Sequence, residues 1–269
     1  MPRPTGARLP PNHLGEGTRP VELTDRTAFV TGGSGDIGAA ICIALARAGC
    51  DVIVGYTGNR EGAESTSAAV QSAGRRAAMV QLDQSDPAQC DEAAARAAAA
   101  FGRLDFLVNN AAWNIGIPFP QLDDLTIDIW DRIYDTNVRG PFALSRAAAK
   151  EMRKTGAGRI VNIASVAGLS PGGSSIAYAT SKAALIHLTR CLAVALAPEI
   201  TVNCVAPGLV ENTRMALRLP PAVAEGARQR AILKRASSAE DIAAQTVMFC
   251  QADSITGQTL VVDGGIFFH

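Results

Sequence analysis

A tyrosine and a lysine lie four residues apart in the segment SIAYATSKAALIHL, as Tyr178 and Lys182. On a helix this spacing places both side chains on one face. A free tyrosine has a pKa of about 10, and acid–base work at neutral pH calls for roughly three units less, or about 4 kcal/mol of preference for the phenolate. An ammonium about 4 Å away supplies on the order of that much at an effective dielectric constant of about 20. The pair therefore predicts a proton donor or acceptor at Tyr178.

A serine stands thirteen residues before Tyr178, as Ser165 in NIASVAG, directly after a predicted strand. A hydroxyl there can donate a hydrogen bond to a substrate carbonyl and share a developing oxyanion with the tyrosine. The alternatives are that Ser165 is a turn or cap residue and that the Tyr/Lys pair is incidental on a solvated helix. With only three tyrosines in the chain, the combination favours the catalytic interpretation.

A glycine-rich turn follows the first strand in TAFVTGGSGDIGAAICIALARAG, and an amphipathic helix follows the turn. In this order the backbone N–H groups can approach a pyrophosphate whose charge the helix N-terminus favours. The candidate dinucleotide contacts here are Gly32, Ser34, Gly35, Asp36, Ile37 and Gly38. A carboxylate near phosphates is electrostatically unfavourable, so we expect Asp36 to cap the helix and not to face the pyrophosphate.

The second strand ends in GYTGNREG, with no acidic residue before Glu61. An acid at this point would bind the ribose 2′-OH of NAD and repel a 2′-phosphate. Four residues instead offer donors suited to a phosphate, namely Tyr56, Thr57, Asn59 and Arg60. Asn59 and Arg60 are also compatible with a polar surface turn. The sequence favours NADP(H), with NAD(H) as the alternative.

Short runs of β-branched residues alternate with Ala-rich stretches of helical period along the chain, which is typical of a parallel sheet covered on both faces. The strand candidates are 27–31, 51–56, 77–82, 104–109, 158–164, 200–206 and 258–263. The helix candidates are 37–49, 61–73, 87–101, 126–153, 175–197 and 239–251. We predict an α/β, Rossmann-type doubly wound and mostly seven-stranded parallel sheet, in one domain over 24–269. Residues 1–23 are predicted to be a flexible arm, and 207–237 a substrate loop without clear period.

Composition restricts the partners. Lys+Arg and Asp+Glu both number 25, so no net field attracts a nucleic acid or an anionic membrane, and a small-molecule substrate is expected. We find no stretch of about eighteen apolar residues and no signal-peptide core. The six cysteines are scattered and are interpreted as reduced core residues of a cytoplasmic protein. The three histidines are too dispersed for a metal site, so no metal is expected.

Several motifs together carry a family resemblance. The spacing Thr31-Gly32-x₅-Gly38 resembles the TGxxxGxG fingerprint of short-chain dehydrogenases, with Asp36 in place of the middle glycine, and LDFLVNNAA resembles their DxLVNNAG segment. With Asn137 in DTNVRGPF, the residues Ser165, Tyr178 and Lys182 resemble the catalytic Asn-Ser-Tyr-Lys tetrad of the short-chain dehydrogenase/reductase family. The resemblance covers 24–266, and among named relatives the chain is similar to 3-oxoacyl-(acyl carrier protein) reductases.

The resemblance implies roles for further residues. Asn137 would hold a water that relays protons to Lys182, which also binds the nicotinamide ribose. Asp83, Asn109, Asn110 and Ala111 would lie on the adenosine side of the cofactor. VAPGLVENT is similar to the family's PG motif, so Pro207, Gly208 and Val210 would border the nicotinamide carboxamide, together with Asn212 or Thr213. NADP-preferring relatives often carry a basic residue just before the middle glycine. This chain has Gly35 at that position.

The resulting expectation is an NADP(H)-dependent oxidoreductase that interconverts a ketone and a secondary alcohol, with a 3-oxoacyl or other apolar carbonyl compound as substrate. The alternatives are an NAD-dependent alcohol dehydrogenase and a non-catalytic NADP-binding sensor or scaffold of the same fold. An epimerase or dehydratase is disfavoured by the glycine spacing and by the lack of a larger C-terminal domain. Because relatives commonly form tetramers and the chain ends in the apolar Ile266, Phe267 and Phe268, we expect a homotetramer, with a dimer as the alternative.

Overall fold

A computed structural model of the protein describes residues 21–217 and 219–268. It contains seven strands, namely β1 (Thr27–Val30), β2 (Asp51–Tyr56), β3 (Ala77–Gln81), β4 (Phe106–Asn109), β5 (Gly158–Ile163), β6 (Ile200–Pro207) and β7 (Thr259–Val262). They form one parallel sheet in the order β3-β2-β1-β4-β5-β6-β7. The chain reverses its direction of winding between β1 and β4, which is where open α/β sheets bind ligands at the carboxyl ends of their strands. The predicted fold class is confirmed.

Helices connect the strands and cover both faces of the sheet. They are α1 (Asp36–Arg47), α2 (Arg60–Ser72), α3 (Pro87–Phe101), α4 (Ile127–Tyr134), α5 (Gly140–Arg153), α6 (Ile176–Leu196), α7 (Arg214–Leu217), α8 (Pro221–Arg230) and α9 (Ala239–Gln251). Local sequence sets several of their starts. The Asp86 side chain accepts from the Ala88 N–H with Pro87 in the first turn of α3, and Ser238 and Asp241 form a capping box on α9.

Alternate strand residues supply two hydrophobic cores, because successive side chains point to opposite faces of a sheet. Val30 and Val54 belong to the core under α1, α2 and α9, whereas Phe29 and Ile53 belong to the core under α3, α5 and α6. All four side chains are 0% exposed. This double coverage explains why the strands appear in the sequence as nearly continuous apolar runs.

Two predicted elements differ from the structure. The single helix predicted over 126–153 is divided into α4 and α5 by a π-helical turn, Asp135–Arg139. The loop predicted over 207–237 is partly helical, since it contains α7 and α8. The sequence pattern does not predict α8, because it begins at two prolines, 220 and 221, and its charged sequence has only a weak helical period.

The N-terminal arm predicted over 1–23 falls mostly outside the described residues, which begin at 21. The last part of it joins the fold, because the Val21 N–H donates to the Gln251 carbonyl at 2.9 Å and Leu23 is buried in a core. All six cysteines are unpaired, but Cys191 is exposed, so the interpretation of the cysteines as core residues is wrong for this one. By length and composition α6 could cross a membrane, although half of that window is buried inside the protein, as in a core helix.

Candidate active site

The glycine-rich turn between β1 and α1 is built to bring backbone close to a ligand. Gly32 has a φ of +63°, a backbone conformation that residues other than glycine rarely adopt. A Cβ on Gly38 would collide with the Gly32 carbonyl and lie 2.7 Å from the Asn110 amide nitrogen. The turn therefore requires glycine at both positions. A close-packed backbone turn of this kind at a helix N-terminus is suited to the phosphates of a dinucleotide.

Asn110 holds this turn in place from the end of β4. Its side-chain amide donates to the Thr31 carbonyl at 2.9 Å, and its backbone N–H donates to the Thr31 hydroxyl at 3.1 Å. The Ala111 N–H donates to the same hydroxyl at 3.0 Å. The resemblance suggested that these residues line the adenosine, and the structure adds a positioning role that the sequence alone did not indicate.

Asn109 lies one residue earlier and faces the opposite way. It is 1% exposed, and its amide donates to Asn162 Oδ1 at 2.8 Å and to Ser145 Oγ at 3.1 Å. Its side chain thus joins β4 to β5 and α5 inside the protein, and the prediction that Asn109 lines the adenosine is not supported for that side chain. Alternation along the strand separates it from Asn110.

Asp36 does not cap α1, contrary to the sequence-based expectation. Gly35 is the N-cap residue and makes no side-chain cap, and Asp36 is the first residue of the helix. Its carboxylate instead accepts from the backbone N–H of Arg214 at 2.7 Å and lies 3.8 Å from the Nε atom of that residue. The carboxylate therefore connects the glycine-rich turn to the start of α7.

The four phosphate donors predicted at the end of β2 already have other surroundings. Tyr56 is 6% exposed and packs in a core, and the Thr57 hydroxyl donates to the Leu82 carbonyl at 2.9 Å. Asn59 accepts from the Gly62 N–H at the start of α2 and donates to the Ser34 carbonyl at 3.0 Å. Arg60 pairs with Glu64 at 2.8 Å in solvent. The prediction that the Tyr56 side chain is available to a phosphate is not supported, because that side chain is buried. Asn59 stabilises the glycine-rich turn through its contact with Ser34.

Asp83 lies on the surface at the end of β3, where its carboxylate accepts from the Ser85 N–H at 2.9 Å and from the Ser85 hydroxyl at 2.7 Å. Its place on the adenosine side of the cofactor stays a prediction. The carboxylate is stabilised by this local turn whether or not a ligand is bound.

Tyr178 and Lys182 occupy the first turns of α6, which begins because the Ser175 hydroxyl accepts from the Tyr178 N–H at 3.1 Å. Both side chains are buried, at 7% and 2% exposure. The Lys182 Nζ atom lies 5.6 Å from the centre of the Tyr178 ring and donates to the Ile163 carbonyl at 2.9 Å, where β5 ends. The sequence spacing thus brings both groups to one place at the carboxyl edge of the sheet.

Burial governs the ionisation of this pair in the free protein. Loss of solvent raises the pKa of Tyr178, and the neighbouring Ser165 hydroxyl acts in the opposite direction. Loss of solvent lowers the pKa of Lys182 to about 8, against a small opposing contribution from Cys204. With its pKa at about 8, Lys182 is charged at pH 7, and it lies beside the ring of a tyrosine whose anion lacks solvent to stabilise it.

Asn137 lies in the π-helical turn and links three segments. Its amide nitrogen donates to the Trp113 carbonyl at 3.0 Å and to Ser181 Oγ at 3.1 Å, and its oxygen accepts from the Trp113 N–H at 2.8 Å. Ser181 in turn donates to the Tyr178 carbonyl at 2.7 Å. Single-turn π segments recur at functional sites. Nothing in the sequence marks Ser181 as part of the site except its place between Tyr178 and Lys182.

The segment that follows β6 packs against the end of β7. A Cβ on Gly208 would lie 2.6 Å from Asp263 Cβ, so Pro207 and Gly208 run close against the end of β7. Thr213 is buried, and its hydroxyl donates to the Val210 carbonyl at 2.9 Å. Asn212, the alternative to Thr213 in this motif, is exposed and has a φ of +58°, so it lies in a left-handed turn. Of the two, Thr213 has the fixed side chain.

Over 21–217 and 219–268 no three His, Cys, Asp or Glu side chains come together as ligands would.

Comparison with known proteins identifies the family of the chain. A family model described as short chain dehydrogenase matches residues 26–224. A Streptomyces violaceoruber protein named as ketoacyl reductase 2 of the granaticin polyketide synthase is 38% identical over 240 residues, which are 88% of this chain and 94% of the relative.

Solved structures agree with this match. A short chain dehydrogenase from Burkholderia cenocepacia J2315 in complex with NADP is 40% identical, with a TM-score of 0.83 over 91% of this chain and 99% of that chain. NAD⁺-bound xylitol dehydrogenase is 29% identical, with a TM-score of 0.85 over 91% of this chain and 100% of that chain. The sheet order, the glycine-rich turn and these matches lead to one conclusion: the chain belongs to the short-chain dehydrogenase/reductase family of oxidoreductases.

Proposed function

We propose that this protein catalyses the NADP(H)-dependent interconversion of a ketone and a secondary alcohol, with Tyr178 exchanging the proton. The observation that carries the proposal is that Tyr178, Lys182 and Ser165 lie together at the carboxyl end of β5. The glycine-rich turn follows β1 at the same edge of the sheet. Asn137 braces α6 at the same place. The proposed catalytic domain extends over 24–269.

Each group has a defined task in this proposal. Lys182 stabilises the anionic form of Tyr178 through its charge, which acts with little screening because both side chains are buried. Ser165 donates to the substrate oxygen and so stabilises the charge that develops there. Bound nicotinamide supplies or accepts the hydride. Asn137 fixes the position of Lys182 and Tyr178 along α6, and through its contacts with Trp113 it also orders the segment after β4.

NADP(H) is the proposed cofactor, held by the glycine-rich turn and by the segment from Pro207 to Thr213. The support is the lack of an acid at the end of β2 and the 40% identity to a short chain dehydrogenase that was crystallised with NADP. Since Arg60 is paired with Glu64 and Tyr56 is buried, the donors there act weakly, and the preference over NAD(H) should be modest.

An apolar carbonyl compound, such as a 3-oxoacyl group, is the proposed substrate class. The segment after β4 and the start of α7 meet where Asn114 Nδ2 lies 3.9 Å from Met215 Sδ. Ile115 and Leu217 on these segments are exposed, and Phe119 packs against the cluster that contains Tyr178. A surface of this kind favours alkyl chains over sugar phosphates.

The test is to follow NADPH oxidation with a panel of ketones that includes 3-oxoacyl thioesters and cyclic ketones, to follow NADP⁺ reduction with polyols, and to titrate both dinucleotides. Turnover of an apolar ketone that depends on Tyr178 supports the proposal. Tight dinucleotide binding without turnover of any carbonyl compound would instead identify a sensor or scaffold. A higher kcat/KM with NADH than with NADPH would identify an NAD-dependent alcohol dehydrogenase.

We also propose a cytoplasmic homotetramer. Several apolar side chains are strongly exposed in the single chain, among them Val194 at 84%, Phe268 at 79% and Ile127 at 73%, and assembly would cover such groups. The six unpaired cysteines suit a reducing compartment. A single-chain mass by light scattering at micromolar concentration would contradict the tetramer.

A further inference from the structure

The guanidinium of Arg214 lies over the glycine-rich turn. Its Nη2 atom is 2.9 Å from the position that a Cβ on Gly35 would occupy. Arg214 is the first residue of α7, which lies 178 residues further along the chain than Asp36. The contact therefore crosses from the substrate side of the site to the turn that faces the cofactor phosphates.

Asp36 places this arginine. The carboxylate accepts from the Arg214 backbone N–H at 2.7 Å and lies 3.8 Å from its Nε atom. Asp36 replaces the middle glycine of the family fingerprint and so adds a negative charge to the turn. An unpaired carboxylate at this position would repel a phosphate. The neighbouring guanidinium offsets that charge, so the two residues together leave the turn suited to an anion.

Arg214 keeps most of its hydrogen-bonding capacity for a ligand. A guanidinium has five N–H donors in a planar fork, and the long Nε contact with Asp36 occupies few of them. The side chain is 63% exposed, so it is accessible from the solvent side of the turn. Arginine also binds phosphate oxygens through paired, charge-assisted hydrogen bonds.

We propose that Arg214 is a cofactor-binding residue: placed over the glycine-rich turn by Asp36, it contacts a phosphoryl group of the bound dinucleotide. The inference rests on the proposed dinucleotide binding. The two phosphoryl sources are the pyrophosphate, which NADH and NADPH share, and the 2′-phosphate, which only NADPH carries.

Dissociation constants provide the test, measured without turnover by titrating NADPH, NADH and ADP into the parent and into Arg214→Ala. We expect Kd to rise about tenfold in the variant at low salt, and the difference to shrink at high salt because the contact is exposed. Equal losses for NADPH and NADH assign the contact to the pyrophosphate. A loss confined to NADPH assigns it to the 2′-phosphate. Circular dichroism and a melting curve verify that the variant is folded.

Matched variants separate this contact from a general charge effect. Arg230 is an exposed arginine on α8 of the same loop, and Arg230→Ala should leave every Kd within about twofold of the parent. Asp36→Gly removes the carboxylate, and the loss caused by Arg214→Ala should be smaller on that background because no unpaired acid remains. An Asp36→Gly background with an undiminished loss would overturn the pairing.

Two results would overturn the inference as a whole. An Arg214→Ala protein that binds NADPH and NADH as tightly as the parent would exclude the contact, and one that binds them more tightly would show that Arg214 obstructs the turn. Failure of the parent itself to bind any dinucleotide would instead refute the proposed function.

Discussion

Replacing the buried Lys182 with methionine should stabilise the fold while it destroys the site. Burial lowers the pKa of Lys182 from 10.5 to about 8, and a shift of this size corresponds to about 3 kcal/mol of folding free energy at neutral pH. Methionine has a similar length and is unbranched and apolar. It removes this cost but leaves the Ile163 carbonyl without its donor, which costs about 1 kcal/mol. We expect a net gain of about 2 kcal/mol in the free energy of unfolding at pH 7.

The gain should depend on pH in a defined direction. Because the folded-state pKa of Lys182 lies below the unfolded value, the unfolded state binds more protons between about pH 8 and 10.5. Folding of the parent is therefore penalised fully below pH 8, and the penalty fades as pH rises through that window. At pH 10 about 1 kcal/mol of it remains, so the advantage of Lys182→Met should almost vanish there.

Urea unfolding of the parent and of Lys182→Met at pH 7 and pH 10 measures this difference directly. Lys150 is an exposed lysine on α5, so Lys150→Met is the matched control, and its effect should be small and independent of pH. The reasoning is refuted if Lys182→Met is less stable than the parent at pH 7, or if its advantage is equal at both pH values. Turnover by Lys182→Met should be lost in either case.

Three further predictions concern the site. Tyr178→Phe should reduce kcat by about 10²–10⁴-fold and leave the NADPH Kd within about twofold of the parent, because only the proton-transfer hydroxyl is removed; near-normal kcat would refute the mechanism. Gly38→Ala should weaken dinucleotide binding at least about tenfold by calorimetry, since the new Cβ collides with the Gly32 carbonyl, whereas Gly226→Ala on α8, which meets nothing within 4 Å, should not. Arg60→Ala should lower the NADPH/NADH ratio of kcat/KM by less than about tenfold, because Arg60 is exposed and already paired with Glu64; a parent that prefers NADH would overturn the proposed cofactor.

Local chemistry was readable from the sequence. The alternation of apolar runs and helical periods predicted seven strands and the doubly wound class, because burial on both faces imposes that pattern. The glycine-rich turn was readable for the same reason, since its backbone needs glycine at Gly32 and Gly38 whatever surrounds it. Tyr178 and Lys182 were readable because four residues make one helical turn, and the geometry of a single helix fixes their common face.

What only the tertiary structure decided is which partner each polar side chain meets. Asn109 and Asn110 are neighbours with the same chemistry, yet one is enclosed between β4, β5 and α5 and the other holds the glycine-rich turn. Tyr56 was expected to offer its hydroxyl to a phosphate and is buried, and Asp36 was expected to cap its own helix and instead contacts Arg214. These outcomes depend on contacts between segments far apart in the chain, and a local pattern carries no information about such contacts. The low pKa of Lys182 has the same origin, because the desolvation that causes it is produced by the whole surrounding fold.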